Sequence, residues 1–284
     1  MTVIGLLVAA LLLPAGVQLL PAGVQRAEDG RYVSALDGAE LVEIPAGAYT
    51  IGAADGRYDE APPVRVRLQA FFIDRAEVTN RQYAAFVAAT GYRAEGHWQR
   101  GDAPGAAEHP VRFVTWADAR AYARWAGRRL PTEAEWEVAA GPHRFPGGDR
   151  WQPDRAVVGR PLDAGPEPAN RALDATARGV LNMAGNVREW VGDWYDRRAY
   201  AAYDPAVPAR DPRGPRDGAP PERPFVETRT EAGNERSTRK VVRGAGWAAR
   251  HADDARRARR GAENPRHIYD DVGFRCAVSS QAEP

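Results

Sequence analysis

Glycine and proline limit this chain more than any other feature. Of its 284 residues, 28 are Gly and 23 are Pro; each proline removes a backbone donor and each glycine loosens the backbone. Beyond Ala140 the two recur so densely that no long helix or strand fits between them. The chain must therefore be assembled from short elements joined by loops. Its 44% hydrophobic content supplies enough apolar surface for one large core or two modest ones.

Short elements can be read in the first half. From Leu41 the run LVEIPAGAYTIG, broken by Pro45 and Gly47, suits a strand and a turn. Val64, Val66 and Leu68 alternate with Arg65 and Arg67, the period of a half-buried strand, and Phe71-Phe72-Ile73 follows as a second candidate. Thr79 then precedes a segment in which Tyr83, Phe86 and Val87 fall at helical spacing and Gly91 closes the turn. A second helix is predicted over Trp116–Ala126, ended by Gly127. A third is predicted over Thr132–Ala140, with Thr132, Glu133 and Glu135 in a capped, acidic first turn. The 205–240 stretch, rich in Pro, Arg and Gly, reads as a loop or insertion, and 279–284 as a tail.

Charge and cysteine content exclude several function classes. Thirty-nine basic and 38 acidic residues leave a net charge of +1, so no global field draws the chain to nucleic acid. The run RRARR at 256–260 lacks interleaved aromatics and has Asp253, Asp254, Asp270 and Asp271 near it, a pattern of structural ion pairs. Cys276 is the only cysteine, which rules out an internal disulfide, a cysteine zinc cluster and a two-thiol redox pair. It is expected to be a packed thiol. Glu133, Glu135 and Glu137 are expected to pair with arginines rather than to act as acids or bases. Trp136, Trp190, Trp194 and Trp247 are expected to fill a loop-rich core.

The first 25 residues stand apart. MTVIGLLVAALLL has the length of a signal-peptide apolar core and is broken by Pro14, so 1–25 reads as a signal peptide or uncleaved anchor and 26–40 as a linker. A periplasmic or secreted protein follows, with membrane contact only if the segment stays attached. The heptapeptide LLPAGVQ occurs twice, at 12–18 and 19–25.

Four ordered blocks resemble one family: EVTNRQYAAFVAATGY at 77–92, RRLPTEAEWEVAA at 128–140, NMAGNVREWVGDWY at 182–195, and VVRGAGWAAR with VGFRCAV between 241 and 278. They are similar to the formylglycine-generating enzymes, or sulfatase-modifying factors, over residues 41–278. The resemblance implies a single α+β domain of the formylglycine-generating-enzyme fold, a C-type-lectin-like variant poor in regular secondary structure.

The resemblance also implies a site that this chain does not complete. Catalytic members hold copper(I) on two cysteines after a Gly-Gly-Ser turn and oxidise a sulfatase cysteine to formylglycine. Aligning that turn with Gly244-Ala245-Gly246 puts Ala249 and Asp254 at the two thiol positions and Gly246 at the serine. Copper(I) is soft and is held by thiolates, so copper is not expected here. The resemblance further implies one calcium, bound by the side-chain oxygen of Asn182, the carbonyls of Gly185 and Val187, and the carboxylate of Glu189, all oxygen ligands as calcium requires. Val157 stands where a second calcium site would need an asparagine.

Two functional readings follow. One is a non-catalytic, monomeric accessory or binding module that takes a peptide or protein in the family groove, with Trp247, His251, Asp254 and Arg256 as the expected pocket. The other is an oxidoreductase with altered metal chemistry in protein or natural-product maturation, in which His251, Asp253 and Asp254 are ligands.

Overall fold

The computed structural model describes residues 20–171, 173–214 and 238–280. Its strands are short, as the glycines and prolines require. They are β1 (Val24–Arg26), β2 (Tyr32–Ser34), β3 (Glu40–Ile44), β4 (Gly47–Ile51), β5 (Val64–Leu68) and β6 (Phe71–Asp74) before the helices. After them come β7 (Arg188–Trp194), β8 (Ala209–Arg210), β9 (Lys240–Arg243), β10 (Arg260–Glu263), β11 (Val272–Phe274) and β12 (Ala277–Ser279).

The three helices form where capping residues and apolar spacing coincide. They are α1 (Asn80–Thr90), α2 (Trp116–Trp125) and α3 (Glu133–Ala139). Each opens on a capping box, Thr79 with Gln82, Thr115 with Asp118 and Thr132 with Glu135, which satisfies amides that the first turn leaves unpaired. Gly91 ends α1 in the left-handed region at φ 65°, which a residue with a Cβ adopts only at a cost.

Three sheets result, ordered β1-β2-β3-β6-β12, β10-β9-β7-β11 and β4-β5-β8. In the second, β7 pairs antiparallel with β9 and parallel with β11, placing Glu189 opposite Arg243 and Gly273, and an irregularity in the ladder between Trp190 and Trp194 shifts its register. One apolar cluster gathers Trp136, Val241, Ile44 and Phe71, and a second gathers Trp190, Tyr83, Tyr122 and Phe274. Trp136, Trp190 and Trp247 are buried; Trp194 is half-buried.

The ends of the domain depart from the sequence reading. Residues 26–40, expected as a linker, carry β2 and the start of β3, and β1 begins within the second LLPAGVQ copy. A three-residue strand is too short to show a period, which is why the pattern hid it. Ser279, expected in the tail, closes β12, and the buried Ser280 donates its amide to Ala70. Within the expected loop, β8 pairs in parallel with β5, and β9 begins at Lys240. Most of the signal-peptide segment (1–19), the 215–237 part of that loop and residues 281–284 lie outside the described residues. Among the described residues, no helix is long and apolar enough to cross a membrane.

Candidate functional site

The site is built around a turn that hangs from β9. Gly244 leaves the strand at φ 77°, and the chain doubles back so that the Ala249 amide donates to the Gly246 carbonyl at 3.0 Å. The turn is fixed to the 157–160 loop: the Gly159 amide donates to Ala249 O at 2.8 Å and the Arg160 amide to Trp247 O at 2.9 Å. Beneath it lies a cavity of about 440 Å³, within the range of about 300–1,000 Å³ usual for small-ligand sites.

Ala249 and Asp254 both line this cavity. The alignment of the turn thus brings both positions to one space, with a methyl and a carboxylate as their side chains. Gly246 also lines it, and a Cβ there would meet Asp271 Oδ2 at 2.9 Å, so a serine would require Asp271 to move.

The expected pocket is met only in part. Trp247 and Asp254 line the cavity, whereas His251 and Arg256 do not. Arg256 turns inward to Glu60, with one contact at 3.1 Å, and its Nε donates to Asp253 at 2.9 Å. His251 is exposed at the start of a short 3₁₀ turn. His251, Asp253 and Asp254 therefore point to different tasks. Among the described residues, no group of three or more His, Cys, Asp and Glu side chains is placed to hold a metal.

The sequence reading missed the opposite wall. Arg188 is held there by Asp271 through two contacts of 2.7 Å and by Glu263 at 2.5 Å. Burial works against the Arg188 charge, but these carboxylates outweigh it and raise its pKa. Tyr269, Asp270 and Arg259 complete the lining, and Leu162, 75% exposed, stands at the rim. Asp271 was expected to serve the 256–260 arginines and instead serves Arg188, a pairing between β7 and the β11 approach that no local spacing announces.

Those arginines are ion-paired, mostly with distant glutamates. Arg260 clasps Glu133 at 2.7 and 2.9 Å, and Arg257 reaches Glu137 at 2.7 Å. Arg243 bridges Glu133 and Glu137 at 2.7 Å each, and Arg129 holds Glu135 at 2.6 Å. Burial alone would raise the pKa of Glu133, but Arg260 and Arg243 hold it below the usual carboxylate range. The glutamates of α3 are thus a clamp between helix and sheet. Cys276 is fully buried, and its amide donates to Asp74 at 2.8 Å. Burial pushes the thiol pKa up, so it stays protonated, away from the cavity.

The residues implied for calcium have protein partners. Both Glu189 oxygens meet the Arg275 guanidinium at 2.7 Å, and one also accepts from Trp136 Nε1 at 2.9 Å. Asn182 donates its side-chain nitrogen to Glu77 and to Ala169 O, each at 2.7 Å. A cation at Glu189 would have to share the one carboxylate of the implied set with a buried guanidinium, so this ligand set does not fit calcium as arranged. A Cβ on Gly185 would meet Val157 O at 2.6 Å, which explains the glycine as a close backbone approach. Val157 itself packs with Val187 and Trp247.

A small α+β domain whose glycine-rich turn roofs a lined cavity, with its third helix clamped to the sheet by buried ion pairs, defines the class of protein. Residues 31–280 match the family described as the sulfatase-modifying factor enzyme 1-like domain. The formylglycine-generating enzyme of Thermomonospora curvata is 33% identical, the match covering 84% of this chain and 93% of that one. Serine/threonine-protein kinase Pkn1 of Chlamydia trachomatis serovar L2 is also 33% identical over 84% of this chain, which spans only 38% of that relative's length. Among solved structures, PvdO from Pseudomonas aeruginosa aligns with a TM-score of 0.65 at 24% identity, covering 90% of this chain and 98% of that one. Treponema denticola variable protein 1 aligns with a TM-score of 0.64 at 21% identity, covering 85% and 95%. The chain belongs to the sulfatase-modifying factor family and has its α+β, C-type-lectin-like fold.

Proposed function

We propose that this chain is an exported, non-catalytic member of the family that binds a peptide or protein segment in the cavity under the 244–249 turn. One observation carries the reading: Ala249 and Asp254, the positions aligned with the family thiols, share that cavity, and Cys276 is not among its lining. Without thiolates copper(I) has no soft anchor, and substrate and oxygen are not brought together at a redox centre. What the cavity keeps is surface for recognition: a phenol, small residues and charges of both signs. Export is supported by the apolar run Met1–Leu13.

The test is a sulfatase-type cysteine peptide incubated with purified protein, copper and reductant in air, with formylglycine read by mass spectrometry. No time-dependent product is expected. Turnover that scales with protein and survives Cys276→Ala would overturn the reading, because other groups would then hold the metal. The converse is Ala249→Cys combined with Asp254→Cys. The double variant is expected to gain tight copper(I) binding in competition with a chelator, either single variant much less, and neither to oxidise the peptide. The resemblance implies one calcium at the 182–189 loop, the Glu189–Arg275 pair weighs against it, and chelation distinguishes the two.

A further inference from the structure

We propose that the first LLPAGVQ copy is the processing site of the leader: the chain is cut on the carboxyl side of Ala15 or Gly16, and the second copy stays on the mature protein as its first strand. The inference rests on the export part of the reading above and locates the bond that export would break.

The copies at 12–18 and 19–25 are identical, and the second is built into the domain almost residue by residue. Leu20 packs against the cluster of Val24, Leu41 and Phe72. Pro21 is buried, and its carbonyl accepts the Val24 amide at 3.0 Å, closing a tight turn. Gly23 holds that turn at φ 81°, where a residue with a Cβ is strained, and its carbonyl accepts the Ala35 amide at 2.8 Å. Val24, Gln25 and Arg26 then pair with Ser34, Val33 and Tyr32, and the Ala27 amide donates to Arg31 O at 2.8 Å to finish the hairpin. A cut between Leu20 and Arg26 would break β1 and strip apolar contacts from Leu41 and Phe72. The bond that is cut must therefore lie before Leu20.

The duplication explains how one motif serves two needs. A leader peptidase requires small residues directly after an apolar run, on backbone that no fold has tied down. Met1–Leu13 is that run, and Pro14-Ala15-Gly16 follows it at once. The same tripeptide at 21–23 is committed to the turn. Because the copies are identical, removing either one yields the same sequence, in which a single Pro-Ala-Gly would have to be both the cut site and the turn. Two copies separate these tasks, with Val17, Gln18 and Leu19 left as a spacer before Leu20. The step is a hydrolysis: the carbonyl of Ala15 or Gly16 takes the hydroxyl of water, and the nitrogen of the next residue takes the proton and becomes the new amino terminus.

The experiment expresses the full chain with its own leader in a bacterium and reads the first residue of the exported protein by mass spectrometry. Gly16 or Val17 is expected. Any other first residue overturns the site: Met1 would show an uncleaved anchor, and a start beyond Leu20 would show that β1 is dispensable. Ala15→Arg combined with Gly16→Arg is expected to abolish most processing, whereas Ala22→Arg, the matched change at an exposed position of the second copy, should leave it intact. Equal effects would overturn the assignment to the first copy. Val24→Asp places a charge in a buried strand position and is expected to lower the Tm by several degrees, while Val17→Asp, its counterpart, leaves the Tm unchanged. An unchanged Tm for Val24→Asp overturns the structural reason for cutting upstream. Recovery of the chain only in the cytoplasm would overturn export and this site with it, whereas Met1 on an exported chain overturns the site alone.

Discussion

Two parts of the molecule draw on the same residue types and use them in opposite ways. Beneath α3 and β7, Arg243, Arg260 and Arg275 are almost wholly buried and meet Glu133, Glu137 and Glu189 in two-pronged or bridging contacts near 2.7 Å. Most of their spare donors find carbonyls, Arg260 those of Asp59 and Asp196, Arg275 those of Leu181 and Asp74, and Arg243 that of Arg257, with Arg243 Nε alone among the three left without a partner. Around the cavity, Asp254 has a single 3.7 Å neighbour and Asp270 has no side-chain bond among the described residues. A buried charge must be fully answered within the protein, because its lost hydration costs several kcal/mol. A charge left partly in water can wait for a ligand. The difference teaches which arginines and acids of the 241–275 stretch hold the fold and which are available for recognition.

The sharpest way to break this contrast is to remove one member of each region. Arg243→Ala removes one of the two guanidiniums on Glu137, leaving Arg257, and one of the two on Glu133, leaving Arg260, and is expected to cost about 3 kcal/mol, where Asp270→Asn should stay within about 0.5 kcal/mol. Urea unfolding midpoints of the two variants measure the gap. Similar losses would mean that the cavity rim is structural too.

Glu189→Ala comes next in size. It leaves the fully buried Arg275 without its carboxylate, and a loss of about 3–5 kcal/mol is expected whether or not calcium is bound. That substitution therefore does not report on calcium. Chelation does: the melting temperature of the native chain is expected to be unmoved by EDTA and by added calcium. A chelator-induced drop that calcium reverses would show that the loop binds the ion.

The smallest effect concerns pH. Burial, reinforced by Glu133, raises the Asp193 pKa from 3.8 to about 7, although its carboxylate accepts the Glu133 amide at 2.8 Å. Between those values the folded chain keeps a proton that the unfolded chain has lost, so this group's contribution to stability falls as pH rises from about 4 to about 7. Asp193→Asn keeps an acceptor for the Glu133 amide and removes the titration. The variant is expected to gain on the native protein steadily from pH 4 to pH 8. A constant difference across that range would show that Asp193 titrates normally.

Much of the fold was legible in local pattern. Thr79, Thr115 and Thr132 each sit three residues before the side chain that completes a capping box, a relation confined to four consecutive residues. The alternation at 64–68 gave β5 for the same reason. The β1–β2 hairpin and β8 escaped because two or three residues cannot display a period, and β8 owes its strand character to β5, which is distant in sequence. At the site, the turn alignment located Ala249 and Asp254, but Arg188, Tyr269, Asp270 and Asp271 reach the same cavity from β7 and from the β11 approach.

By itself, the sequence determined that the chain is loop-rich, that two of its helices start at Thr79 and Thr132, and that only one thiol is present to do chemistry. Those are properties of composition and of neighbours within one turn, and they need no partner from elsewhere. Only the tertiary structure decided that Glu189 belongs to Arg275, 86 residues away, and that Asp271 belongs to Arg188, 83 residues away. An ion pair is specified by a distance of a few ångströms, and chain spacing carries no information about that distance until the sheets have set their register.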